Sequence, residues 1–370
     1  ISKLNNNQID SNVEEYFDPE MVYQLPSTVS EEEDVSVIVS MNTDSVIDAY
    51  LKEDRKMSVG AYTETFEAAT VQKKVERDSA ALLRKLKRAG ISYELGAKYD
   101  TILSGFEIVI KGRDYAKVGK LLDGDAVSIL GETYEPAVTD VVQNDVDVQE
   151  TGIFNSSNLP YQGDGVVVAV LDSGLDYTHT AFDPSHFDLS NKRFSIDDID
   201  VTGMKSSQFT AGLTAQDVYV NDKIPYAYDY ADKDPDVLPT NSDHGTHVSG
   251  IISGDDQQLL KGVAPNAQLV FMKVFSDNRT GAKDSWIMSA LEDCVKLKVD
   301  VINMSLGSDC GFTTERSEVE KNEVYGRVKA AGISLIVSAA NAYNSTMGSE
   351  KNGNLGLTSN PDSGTVGAPS

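Results

Sequence analysis

The run Gly165-Val166-Val167-Val168-Ala169-Val170-Leu171 is followed at once by Asp172. It carries no polar side chain and does not alternate, so a strand built from it has no solvent face. Such a strand suits a parallel sheet covered by helices on both sides. Downstream, Gln268 to Phe275, Val299 to Met304 and Ser334 to Ser338 read as further strands. Between them, Ser285 to Leu297 carries Ile287, Leu291 and Val295 at helical spacing, and a helix from Arg316 to Ala331 stops at Gly332. Strands alternating with helices predict an α/β fold with a mostly parallel sheet. Asp172, Ser305 and Asn341 each follow the carboxyl end of a predicted strand. That edge is where open α/β sheets form ligand crevices.

The residues before this sheet obey a different rhythm. Val35 to Val39 alternates as a strand; Val71, Val75, Leu82 and Leu86 fall at helical spacing, and Gly90 stops that helix. Ile91 to Tyr99 and Leu103 to Ile110 read as strands, Tyr115 to Leu122 as a helix closed by Gly124, and Ala126 to Leu130 as a last strand. The order β-α-β-β-α-β is that of a ferredoxin-like α+β unit. We therefore divide the chain into an acidic leader or loosely tied arm (1–34), a first domain (35–132), an acidic connector (133–158) and the α/β domain (159–370).

Charge narrows the partners. The chain holds 32 Lys and Arg against 58 Asp and Glu, a formal net charge of −26. Nucleic acids and anionic membranes gain nothing from such a surface. No apolar run reaches the ~18 residues that a membrane span needs. The two cysteines, Cys294 and Cys310, do not make a disulfide framework and are read as free thiols.

Asp243-His244-Gly245-Thr246-His247-Val248-Ser249-Gly250 places a histidine at the mouth of a helix. An imidazole takes the proton of a serine hydroxyl and returns it to a leaving amine; a carboxylate holds its tautomer and stabilises the imidazolium. We assign these roles to His244 and Asp172. The amide of Asn341 is the candidate donor to an oxyanion. Ser305, Leu306 and Gly307, with Ala339 and Ala340, are candidate backbone contacts for an extended peptide. Asp176 lies four residues beyond the strand end and is the weaker carboxylate. His-x-x-His at 244 and 247 lacks the i,i+4 spacing of a zinc helix, so His247 is expected to pack and no metal is assigned. His179 and His186 are expected at the surface, Asp243 as a cap or turn residue, and Tyr226, Tyr228 and Tyr230 as a packed strand.

Asp172-Ser173-Gly174, the histidine segment, Gly262-Val263-Ala264-Pro265, Asn303-Met304-Ser305-Leu306-Gly307 and Ser338-Ala339-Ala340-Asn341 together resemble the subtilisin-like serine proteases. The segment Tyr219 to Tyr226 is similar to the bacterial cell-envelope branch of that family. The resemblance covers roughly residues 163 to 370. It implies a subtilisin-like fold, peptide or protein substrates, a secreted or cell-surface (bacterial) location and no cofactor for the chemistry, with structural Ca2+ as an addition. It implies that the first domain is the protease's own inhibitory propeptide, and that the connector holds the maturation site and passes through the cleft as a product-like strand. The family's Gly-Thr-Ser-Met-Ala-like serine segment is absent from these residues, so the nucleophile belongs to a C-terminal remainder, and this chain alone is expected to be inactive. Ala340 stands where the family has glycine. The alternative implied by the missing serine is a pseudoprotease with a retained propeptide, acting as a binding or regulatory protein.

Overall fold

A computed structural model describes residues 23–26, 29–53, 55–131, 133–136, 161–258, 260–308 and 316–339. The first unit is a four-stranded antiparallel sheet of order β2-β3-β1-β4, from β1 (Asp34–Met41), β2 (Glu94–Tyr99), β3 (Gly105–Lys111) and β4 (Ala126–Leu130). Helix α1 (Val46–Leu51) follows β1; α2 (Phe66–Arg88) and α3 (Tyr115–Leu122) cover one face of the sheet. Thr65 starts α2 by accepting the Ala68 amide, satisfying one of the helix's orphan donors. Gly90, at φ 75°, ends it in a conformation that glycine adopts without strain. Val35, Val37 and Val39 of β1 point to these helices together with Val75, Leu82, Leu86 and Val118. Ile38 of β1 points the other way, into a core shared with the second unit. Strand β1 is thus buried on both faces.

The second unit holds a five-stranded parallel sheet of order β12-β10-β6-β8-β7. Its strands are β6 (Val167–Asp172), β7 (Tyr226–Asp229), β8 (Gln268–Lys273), β10 (Val301–Met304) and β12 (Ser334–Val337). Strand β6 is central. Val167, Ala169 and Leu171 enter one core and Val168 and Val170 the other, so the unbroken apolar run has a two-sided burial to fill. Helices α4 (Lys205–Phe209), α5 (His244–Ser253), α6 (Asp284–Leu297) and α7 (Arg316–Ala330) complete the unit. A third, small sheet joins the units: β5 (Thr133–Pro136) lies antiparallel between β9 (Ala282–Lys283) and β11 (Leu306–Gly307).

Two expectations need adjustment. Residues 23–26 and 29–33 are not a loose arm. The Tyr23 ring is buried on α3 where Gly119 has no side chain, and Leu25 and Val29 pack on the same core. The acidic connector, in which the sequence signals no element, opens as β5, because two strand edges of the second unit supply its backbone partners. Cys294 is a free, buried thiol; Cys310 lies outside the described residues.

The two units meet around α6. Tyr99 Oη donates to Ser285 O at 3.0 Å. Glu292, fully buried, accepts the amides of Asp100, Thr101 and Ile102 at 3.2, 2.8 and 2.9 Å on Oε1. Its Oε2 lies 2.8 Å from Lys205 Nζ, itself 3.6 Å from Asp100. Arg327 Nε donates to Asp48 of α1 at 2.7 Å. Burial opposes the Lys205 charge, but Glu292 and Asp100 outweigh it and hold the ammonium above the usual lysine range.

Candidate active site

Asp172 is the last residue of β6 and is fully buried. His244 is the first residue of α5. The sheet edge and the helix mouth bring them together: His244 Nδ1 lies 2.8 Å from Asp172 Oδ1. The same carboxylate oxygen accepts the Ser173 amide at 2.7 Å. An anionic acceptor at Nδ1 favours the tautomer with the proton on Nδ1, which makes Nε2 the basic nitrogen.

The motif residues around this pair have mechanical roles. A methyl on Gly245 would meet Gly174 O at 2.5 Å, Phe271 Cζ at 2.9 Å and Asp172 Cβ at 3.0 Å, so only glycine lets α5 approach β6 this closely. Ser173 Oγ accepts the Gly245 amide at 3.2 Å and donates to Ser242 O at 3.2 Å. Thr246 Oγ1 accepts the Asp176 amide at 2.8 Å. The turn after β6 is thereby tied to the first turn of α5 at two points. These clamps were within the motif but were not singled out, because their partners are visible only in three dimensions.

Beside the pair, Ser305 leads from β10 into β11, and Asn303 Nδ2 donates to Ser305 Oγ at 3.0 Å. Leu306 pairs with Pro136 and Gly307 with Glu135, while Ala282 and Lys283 pair with Tyr134 and Thr133. An extended segment of the chain therefore lies across a two-edged slot at the carboxyl side of the sheet. Ala339 is exposed just after β12. Ala340 and Asn341 lie outside the described residues.

The other candidates fall elsewhere. Asp176 accepts the amide and hydroxyl of Thr178 in a local turn. Asp243 precedes α5 without a side-chain cap bond, which leaves the turn role of the two expected for it. His247 is exposed, not packed: three positions after His244 it faces outward on α5. His179 caps a short 3₁₀ turn through Ala181, and half-buried His186 bonds Asp255 O. Tyr226, Tyr228 and Tyr230 are fully buried, as expected of packing residues. Among the described residues, Asp229, Asp232 and Asp277 bring carboxylate oxygens within 4.8 Å of one another. Lys273 Nζ already lies 2.9 Å from Asp229 and 2.6 Å from Asp277, so an ammonium supplies the cation. Burial pushes the Asp229 carboxyl up to about 6.

Comparison with known proteins gives a consistent picture. The profile described as Subtilase family matches residues 163–370. The PI-type proteinase of Lactococcus lactis subsp. cremoris is 35% identical over 287 residues, covering 74% of this chain and 14% of that protein. The C5a peptidase of Streptococcus pyogenes serotype M3 is 33% identical over 214 residues, covering 56% of this chain and 17% of that protein. The chain thus spans 14–17% of the length of these curated relatives. Fervidolysin from Fervidobacterium pennivorans, a keratinolytic enzyme related to subtilisin, superposes with a TM-score of 0.51 at 14% identity over 85% of this chain and 40% of its own. The epidermin leader peptide processing protease of Staphylococcus aureus gives 0.50 at 15% identity over 86% of this chain and 63% of its own. These structures establish the shared fold.

Proposed function

The chain belongs to the subtilase family, and from that premise we propose that it is the N-terminal part of a secreted or cell-surface serine endopeptidase in its precursor form. In this reading residues 35–132 are the inhibitory propeptide, 133–158 hold the maturation site, and 159–370 are the first part of the catalytic domain. The observation that carries it is the 2.8 Å contact of His244 Nδ1 with Asp172 at the carboxyl edge of the sheet.

The nucleophilic serine is supplied by sequence outside these residues. His244 Nε2 takes the proton from its hydroxyl as the oxygen attacks the scissile carbonyl. Asp172 holds the ring and offsets the imidazolium charge. Asn341 donates its side-chain amide to the oxyanion, a contact whose removal typically costs about 2.7–4 kcal/mol of barrier. The tetrahedral intermediate collapses as His244 returns the proton to the leaving amine, and water then repeats the sequence on the acyl-enzyme. None of these steps needs a cofactor; calcium would be structural.

Strand β5 supports the precursor reading. Peptides that enter a site by strand addition use main-chain bonds to a strand edge, and β5 pairs with two, β9 and β11. A binding protein that keeps this segment docked without hydrolysis would share the interface, but has no use for the Asp172–His244 pair. The test is hydrolysis of peptides by the full-length, matured protein, with His244→Ala as control. Hydrolysis that vanishes in the variant supports the reading; equal activity in both, or none in either after maturation, contradicts it.

A further inference from the structure

We propose that the C-terminal end of α5 carries a buried site for a primary ammonium group, filled in this chain by its own Lys223. Lys223 is fully buried. Its Nζ donates to Ser253 Oγ, Pro265 O and Ala267 O, the last at 2.6 Å. The Phe187 ring centroid lies 3.9 Å from the same nitrogen, a distance at which an aromatic face attracts a cation. Among the described residues no carboxylate forms an ion pair with Lys223. The fully buried Lys205 and Lys273, by contrast, each pair with two.

The donors and acceptors fix the proton count. Ser253 Oγ gives its own proton to Ala267 O at 2.9 Å, so it meets Lys223 as an acceptor. Pro265 O and Ala267 O can only accept. Three acceptors around one nitrogen match the three N–H groups of an ammonium; a neutral amine would turn its lone pair on one of them.

The place favours the charge as well. Ser253 is the last residue of α5, where helix carbonyls gather negative partial charge. The Val263 and Ala264 amides return to Ile251 O and Ile252 O of that last turn at 3.0 and 2.9 Å. The chain then presents Pro265 O and Ala267 O to the ammonium just before β8. Lys223 O accepts the Leu269 amide of β8 at 2.9 Å. One side chain thus joins the far end of the His244 helix to the sheet, and because the cation is tethered it cannot dissociate. Burial draws the Lys223 ammonium down to about 7, with the Asp255 carboxylate acting the other way. At about pH 6 the group is therefore charged.

The test uses the full-length precursor with its nucleophile changed to alanine, at about pH 6, and reads hydrogen exchange at the Val263 and Ala264 amides. Lys223→Ala removes the part of the side chain that n-propylammonium reproduces. Exchange at both amides is expected to speed by on the order of 10- to 100-fold, because two buried carbonyls lose their donors. Added n-propylammonium should restore protection saturably. The same concentration of n-propanol or tetramethylammonium, which lack cationic N–H donors, should not. Lys223→Met, which fills the volume without charge, should exchange faster than wild type and gain nothing from the amine. Ser253→Ala removes one acceptor and should speed exchange roughly 2- to 10-fold. Failure of the amine to restore Lys223→Ala, or equal restoration by propanol or tetramethylammonium, overturns the proposal. If Lys223→Ala does not fold, the other two variants decide: faster exchange in both supports the site, and wild-type protection in either overturns it.

Discussion

Removing the Glu292 carboxylate should loosen the first domain from the second without unfolding either. Glu292 accepts three consecutive amides of the 100–102 loop and pairs with Lys205, and both side chains are fully buried. In Glu292→Ala the loop amides lose a charged acceptor. Lys205 keeps only Asp100, at 3.6 Å, as an ion-pair partner in this group. Breaking a buried pair from one side costs about 3–5 kcal/mol. If half of that falls on the docked state alone, the docking equilibrium weakens by roughly 13- to 70-fold; if all of it does, by 10² to several thousand. The assay is native-state hydrogen exchange of the full-length precursor at Thr101 and Ile102. Protection there should fall at least about 10-fold, while the central strand β6 keeps its own. Lys205→Met added to Glu292→Ala should recover part of the loss, because no unpaired ammonium then remains. A change below about 2-fold at Thr101 and Ile102, or an equal loss throughout β6, refutes the reasoning.

Further outcomes follow from the same geometry. The Lys205 ammonium is held above its ordinary value, so its contribution is complete below pH 10.5 and fades only as pH rises through the higher folded value. Burial opposes the Asp100 charge, but Lys205 outweighs it and keeps the carboxyl low, so this contribution is complete above pH 3.8 and is lost as pH falls through the lower folded value. The protection of the 100–102 loop, corrected for intrinsic exchange, should therefore stay level from about pH 5 to about pH 9; a midpoint within that window contradicts it. Asp172→Asn in the full-length enzyme should lower kcat by about 10⁴ with little change in KM, since it spoils the His244 tautomer but not the slot. Gly245→Ala should both lower Tm and reduce activity at least about 100-fold, because its methyl would sit 2.5 Å from Gly174 O; an active, stable variant contradicts the clamp. Residues 1–370 expressed alone should aggregate or remain partly folded. Strand β12 is the edge of the described sheet with Ile336 54% exposed, so a monodisperse, cooperatively melting preparation would count against this.

The parts of this molecule that could be read in the sequence are those whose causes are local. The unbroken apolar run of β6 required burial on two faces, and the helix and strand periodicities of the first domain placed its six main elements. Asp172 and His244 were legible because each ends or begins an element with its own signature. What escaped depended on distant residues. Glu292 stands beside Asp293 in α6, and nothing near it names the 100–102 loop, about 190 positions away, that it binds. Tyr134 lies in an acidic connector, and its partner Asp284 is one of many carboxylates. Tyr23 was hidden in a polar arm because the space it fills is created by Gly119 on α3. His247 was expected to pack because His-x-x-His lacks the spacing of a zinc helix; it faces outward instead.

The most direct test of the account is denaturing mass spectrometry of the full-length protein after reaction with a fluorophosphonate probe. Labelling of a single serine C-terminal to residue 370, lost in His244→Ala and appearing only once the chain has been cut within 133–158, is the predicted result. A matured, cut protein in which no serine takes the label would contradict it.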